Sequence, residues 1–486
     1  MADARPIVLI LVDGWAPRWL SREWSRLPNL AWLAAHGRMS WRVCSTFPSV
    51  TPTAIASLVT GRPPRAHGIR GILWYQHAED RYVHYWPSPE RFLSGTWDRP
   101  IQDVVIDLNA RHLAHDTPTL FERLEARGHR VAVVNFPIHR ATHWHRVRLP
   151  VWLKGCGRLE RTLGLMGPRH WVWGDLLDGA PAAGLRRFHG LTDAFAVENA
   201  IRLFRLVAPD FLAVYLGDHD GHSHRRGPDR VDDSLRRIDG LVGRLLGMFG
   251  SPREALRRAR WVLVGDHAQT RLLGGPASVD LTALVARRFE VASLVRGGLL
   301  SGRARLAVAP NDRMAYVHVR EPEDRPAVRQ HLLGLPAVGL VAWFEGGRFF
   351  CEEAGTGRSL SWKPGGDVRD AAGQVWSLSG DPGVLDCRQE GGCLLWGIYP
   401  DPLGRLAGAL DRPGDLVVLA REGHEFHTGL GMGRGNHGGL CAGDSLVPLL
   451  AVGMPPLEGF IRLEHLAPWV LEALGGSAHP GSPGPS

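Results

Sequence analysis

The sequence has almost no lysine. Lys154 and Lys363 are the only two, so the formal charge of +8 and the isoelectric point near 9.6 rest on arginine. The arginines are scattered and form no basic block. A nucleic-acid-binding module would therefore rest on the isoelectric point alone, and the charge leaves only a mild attraction for anionic substrates. Cysteine is also scarce: Cys44, Cys156, Cys351, Cys387, Cys393 and Cys441 contain no C-x-x-C pair. Six in 486 residues make no disulfide framework, so free thiols are expected, even for Cys387 and Cys393, which a hairpin could bring together. Long apolar runs are missing too. Ile7–Val12 is too short for a signal-peptide core, and no later run reaches the roughly 18–20 residues of a membrane span. The expectation is a soluble, cytoplasmic protein with no membrane partner. No internal repeat is present.

A hydrophobic content of 44% with 22% charged residues is that of an ordinary globular chain. The length suits one large α/β domain with an insertion, or two domains. Ile7–Val12 reads as a strand buried on both faces of a parallel sheet, and it ends in Asp13-Gly14. Phe211–Leu216 and Trp261–Val264 are strands of the same kind. The first leads into a loop, Gly217–Pro228, carrying Asp218, His219, Asp220, His222 and His224; the second leads into Asp266-His267. Three strands thus end in carboxylates, at the edge where open α/β sheets bind ligands. Helices at Leu27–His36, Thr117–Gly128, Leu191–Val207 and Val231–Phe249, with a strand at Arg130–Phe136, supply the βα alternation. A strand at Val447–Val452 and a helix at Leu463–Leu474 close it.

Between 276 and 430 the pattern changes. Strand-like runs at Ala307–Val319 and Gly339–Phe350 flank a Gly-rich polar stretch, which reads as an inserted α+β lid that sets substrate choice. The catalytic domain is then 1–275 with 431–474, and 475–486 is a disordered tail of Gly, Ser, Pro, Ala and one His. The aromatic stretch after Gly61 is a candidate pocket wall, with core packing as its alternative. His139, His143 and His145 have no acid nearby in sequence and read as loop surface rather than a metal site.

The stretch Thr46–Gly61 organises the rest. From Pro52 it reads as an apolar helix closed by Gly61, and a proline at the first helical position makes Thr51 the N-cap. An isolated Thr-Pro pair is more often only a cap. Here strand-end acids and histidines surround it in the sequence pattern. Carboxylate and imidazole ligands are zinc chemistry, with manganese or iron as lesser options. Two metals about 4 Å apart can clamp the attacking and leaving oxygens of an in-line phosphoryl displacement. A metal can also turn a hydroxyl into a nucleophile, and a helix N-terminus favours the phosphate it attacks.

Six motifs fall in one order: Val12-Asp13-Gly14; Thr51 ten residues before Gly61; His67-Gly68-Ile69; Asp220-x3-His224 followed by Gly227-Pro228; Asp266-His267; and Asn436-His437-Gly438. This set resembles the alkaline phosphatase superfamily, most closely its type I phosphodiesterase/nucleotide pyrophosphatase branch, over about 1–275 and 430–455. The resemblance implies a central, mostly parallel sheet flanked by helices on both faces. It implies two divalent metals: Asp220, His224 and His437 hold one, while Asp13, Asp266 and His267 hold the other with Thr51 bridging as nucleophile. The implied reaction is hydrolysis of a small phosphodiester or pyrophosphate through a phospho-threonine intermediate.

Asp218 and His222 also fit D-x3-H, but only Asp220 and His224 place Gly-Pro at the family's distance. The chain departs from the family at Pro52, where phenylalanine is usual, and at Ile72, where a phosphate-binding asparagine is usual. Arg70 is the candidate replacement contact, with a salt bridge as its alternative. No sulfatase C-x-P-S-R signature is present. The competing readings are a phosphomonoesterase of the same superfamily and a non-catalytic binding protein that keeps the fold. A full set of ligands with a nucleophile argues against the second.

Overall fold

The computed structural model describes residues 5–86, 98–148, 162–174, 191–294, 304–412, 414–427, 431 and 433–475. Cys156 and the tail from 476 onward lie outside them.

A seven-stranded sheet forms the centre. Its strands are β1 (Ile7–Val12), β2 (Arg38–Cys44), β3 (Val131–Val134), β4 (His170–Val172), β5 (Phe211–Leu216), β6 (Arg260–Gly265) and, late in the chain, Leu446–Val452. The spatial order is β2, Leu446–Val452, β6, β1, β5, β3, β4. The pairings from β6 to β4 are parallel, and Leu446–Val452 runs against both of its neighbours. The mostly parallel α/β architecture expected from the sequence is the one found.

Alternation along β1 explains its continuous apolar run. Ile7, Leu9 and Leu11 enter one core with Ala54, Ile55, Leu58 and Val59 of helix α1 (Thr51–Thr60). Val8, Ile10 and Val12 enter the opposite core with Leu235, Ile238 and Val242 of the helix Asp232–Gly247. With helices on both faces, no position on the strand can be polar.

A second, largely antiparallel sheet of nine strands is built from the chain between residues 306 and 420. It opens with the hairpin β7 (Leu306–Asn311) and β8 (Met314–Val319). One face shares a core with Phe47, Leu73, Tyr75 and Tyr82 from earlier in the chain. The other face packs on Leu281, Val328 and Leu332. Cys387 and Cys393 lie on one hairpin but pair with Trp396 and Glu390 instead of each other, and both are free thiols. Among the described residues no helix is long and apolar enough to cross a membrane.

Candidate metal centre

The register of three adjacent strands builds the site. Val12 lies level with Leu216 on one side and with Gly265 on the other. Asp13, Asp266 and the segment after Leu216 therefore emerge together at the carboxyl edge of the sheet. That segment is a nine-residue helix, α2 (Asp218–Arg226), where the sequence suggested a loop. Helical spacing puts Asp220 and His224 on one face, with Asp220 Oδ2 at 3.2 Å from His224 Nε2. Asp218 and His222 fall on another face: Asp218 accepts from the Asp193 amide at 3.2 Å, and His222 Nε2 lies 3.2 Å from the Arg230 carbonyl. Gly14, at φ +68°, lets the site close, because a Cβ there would sit 2.9 Å from Asp220 Oδ1.

Thr51 is the first residue of α1, and Val50 is the N-cap, so the capping role expected from Thr-Pro is corrected. The Thr51 side chain turns instead toward the sheet edge. Its hydroxyl donates to Asp13 Oδ1 at 3.4 Å and lies 3.1 Å from His267 Nε2. His267 Nε2 is 3.2 Å from Asp13 Oδ1 and 3.6 Å from Asp266 Oδ2, which has no hydrogen-bond partner. Asp266 is held by its other oxygen, which accepts from the Gly14 and His267 amides at 3.1 and 2.8 Å.

The second group lies beside the first, with the rings of His267 and His437 stacked 3.7 Å apart. His437 Nε2 is 3.2 Å from His224 Nε2 and 3.8 Å from Asp220 Oδ1. Each of the three imidazoles has its Nδ1 against a carbonyl: Gly435 for His224, Ala268 for His267 and Ser49 for His437, at 2.8, 3.2 and 2.9 Å. A carbonyl can only accept, so each Nδ1 donates, and each Nε2, once unprotonated, turns a lone pair toward the others. This is the arrangement of metal-ligating histidines. Among the described residues, Asp13, Asp266 and His267 form one group that could hold a cation, and Asp220, His267 and His437 form a second that shares His267.

The electrostatics point the same way. Burial opposes charge on His267, but Asp266 and Asp13 outweigh it and push the ring up to about 10. Burial likewise opposes charge on His224, where Asp220 prevails and raises it to about 9. Asp13 is raised by burial and then by Asp220; Asp266 is raised well above the usual range by burial and then by Asp13. Among the described residues, no arginine or lysine pairs with these carboxylates, so divalent cations would supply the missing positive charge.

Other expected residues sit elsewhere. Arg70 is engaged by Asp411, the salt-bridge alternative. Trp74, Tyr75, Tyr82 and Tyr85 are buried core residues rather than pocket walls. His139, expected at a loop surface, is fully buried against Trp171 and Trp173. His143 and His145 lie on the strand His143–Arg148, with Glu125, distant in sequence, 3.4 Å from His143.

Three residues at the site were not singled out by the sequence. Tyr215 donates from its hydroxyl to Asp13 Oδ2, and Gln269 donates to Asp220 Oδ1. Their places next to a strand end and two residues after His267 were signals that could have found them. Asp312, in the β7–β8 turn, has its Oδ2 3.9 Å from His437 Nε2, and no spacing rule points to it.

A family model described as type I phosphodiesterase/nucleotide pyrophosphatase matches residues 7–440. The match runs through 276–430, which the motifs alone left unassigned. No curated protein matches. Among solved structures, murine ectonucleotide pyrophosphatase/phosphodiesterase 5 has a similar fold at 13% identity and a TM-score of 0.60, covering 98% of this chain and 96% of its own. An inactive threonine-to-alanine variant of that mouse protein, in complex with AMP, gives the same identity, coverage and TM-score.

Proposed function

The chain belongs to the type I phosphodiesterase/nucleotide pyrophosphatase family of phosphate-ester hydrolases, and from that premise we propose that it cleaves a small phosphodiester or pyrophosphate with Thr51 as nucleophile and two divalent ions, zinc first among them. One observation carries this reading. The Thr51 hydroxyl stands 3.1 Å from His267 Nε2 and 3.4 Å from Asp13 Oδ1, the spacing of neighbouring donors around one cation.

Asp13, Asp266 and His267 would hold one ion with Thr51; Asp220, His224 and His437 would hold the other. The ions supply Lewis acidity and the lowered pKa of the hydroxyl. Asp13 accepts the Thr51 hydrogen bond and aims its oxygen at the incoming phosphorus. Thr51 Oγ1 gives up its proton to solvent and forms a bond to phosphorus as the ester or anhydride oxygen leaves with its electron pair and takes up a proton, giving phospho-threonine. Water then breaks the threonine–phosphorus bond, releasing the phosphorylated product and restoring the hydroxyl. Thr51 lies in the first turn of α1, whose amides favour the phosphate charge. The inactive threonine-to-alanine variant of the structural neighbour agrees in kind with a threonine nucleophile.

The preference for diesters over monoesters rests on the family. The test is kcat/KM for bis(4-nitrophenyl) phosphate against 4-nitrophenyl phosphate, with metal content measured on the same sample. Two ions per chain and the higher value for the diester are expected. A higher value for the monoester would overturn the diester assignment in favour of the phosphomonoesterase reading.

A further inference from the structure

The β7–β8 turn delivers a carboxylate to the metal centre. Asp312 sits in this turn in the left-handed conformation, φ +63°, which few residues other than Gly, Asn and Asp adopt readily. The turn is fixed from three sides. The Asp312 carbonyl accepts from the Phe426 amide at 2.6 Å, and the Arg313 amide donates to the His437 carbonyl at 2.9 Å. Before it, the Asn311 side chain accepts from the amides of Ile72 and Leu73 at 2.6 and 3.1 Å. Gly438, at φ +93°, allows the close approach, since a Cβ there would stand 2.5 Å from the Asn311 carbonyl oxygen.

The two oxygens of Asp312 have different surroundings. Oδ1 is 3.4 Å from Asn436 Nδ2, and that amide is also held by Glu425 Oε2 at 2.5 Å. Oδ2 faces His437 Nε2 at 3.9 Å. His224 Nε2 lies 3.2 Å from His437 Nε2 and 3.2 Å from Asp220 Oδ2, while the other Asp220 oxygen, Oδ1, is 3.8 Å from His437 Nε2. Donors bonded at about 2.0–2.2 Å to one tetrahedral ion stand roughly 3.3–3.6 Å apart, so a closure of a few tenths of an ångström brings Oδ2 to co-ligand distance from His437 Nε2. A ligating carboxylate whose other oxygen is held by an amide is the usual supporting arrangement.

We propose that Asp312 is the fourth protein ligand of the ion held by Asp220, His224 and His437, so that the second sheet takes part directly in holding a metal. This rests on the two-ion reading above.

The test uses the full-length protein with Asp312→Asn and Asp312→Gly, both of which tolerate the turn. Each is stripped of metal, titrated with Zn2+ or Co2+, and its ion content and thermal unfolding are measured. The wild type is expected to bind two ions. Both variants should keep one at unchanged affinity and bind the second at least about 100-fold more weakly, above the usual loss for an outer supporting residue. Their metal-free melting temperatures should match that of the wild type. In the Co2+ forms, the visible spectrum of the weakened position should change while the other is unaltered. Two ions of wild-type affinity in both variants would overturn the role of Asp312 and leave the two-ion reading standing. A wild type that binds no ion would overturn both.

Discussion

The Nε2 atoms of His224 and His437 face each other at 3.2 Å, while the Nδ1 of each ring is committed to a carbonyl. Two lone pairs this close repel unless a proton or a metal ion lies between them. The contact makes sense as one edge of a coordination shell.

Removing the ions should therefore destabilise the protein. An ion present at a thousand times its dissociation constant adds about 4 kcal/mol. Dialysis against a chelator is expected to lower the melting temperature by several degrees, and Zn2+ should restore it. An unchanged melting curve after verified metal removal would contradict the assignment of these histidines.

Thr51→Ala should keep its fold and metals and lose on the order of 10³-fold or more in kcat, because no other group replaces a covalent nucleophile. Thr51→Ser should retain part of the rate. Thr53, two residues along α1 with an unpartnered hydroxyl, is the control, and Thr53→Ala should stay active. Comparable rates for Thr51→Ala and Thr53→Ala would remove Thr51 from the mechanism.

Asp220 and Asp218 separate cleanly. Asp220→Ala is expected to empty one ion position, detected by elemental analysis. Asp218→Ala loses the hydrogen bond from the Asp193 amide and should cost at most about 1 kcal/mol with both ions kept. The opposite pattern would exchange their roles.

The pH dependence follows from the imidazoles. His224 and His267 are pushed up to about 9 and 10, above the ordinary value near 6.5. In the metal-free chain each contributes stability that is fully present below about 6.5 and lost as pH rises through the raised values. Metal binding needs the same nitrogens unprotonated, so affinity increases across that window. The gap between metal-loaded and metal-free melting temperatures should widen from pH 6.5 to 9.5. A constant gap would speak against these two rings as ligands.

The central sheet was readable because β1, β5 and β6 are buried on both faces and leave an unbroken apolar signal. The ends of those strands carry Asp13 and Asp266, so half the candidate site came with the fold. Helix α2 was missed because its composition, rich in Asp, His and Gly, is that of a turn; what holds it is packing at the sheet edge. The burial of His139 depends on Trp171 and Trp173, distant in sequence. Asp312 depends on how an entire second sheet docks, which no local spacing encodes.

The hydrogen bond from His437 Nδ1 to the Ser49 carbonyl closes a loop of 388 residues. Asp13, Thr51, Asp266 and His267 all precede the second sheet, whereas the other position waits for His437, which follows it. Long closures are slow to form. The two ions should thus be captured at different times: one when the first parallel strands pair, the other only after the second sheet has folded and docked. Refolding in the presence of Co2+, followed by absorbance, would resolve this as two phases, the slower one marking completion of the chain's topology.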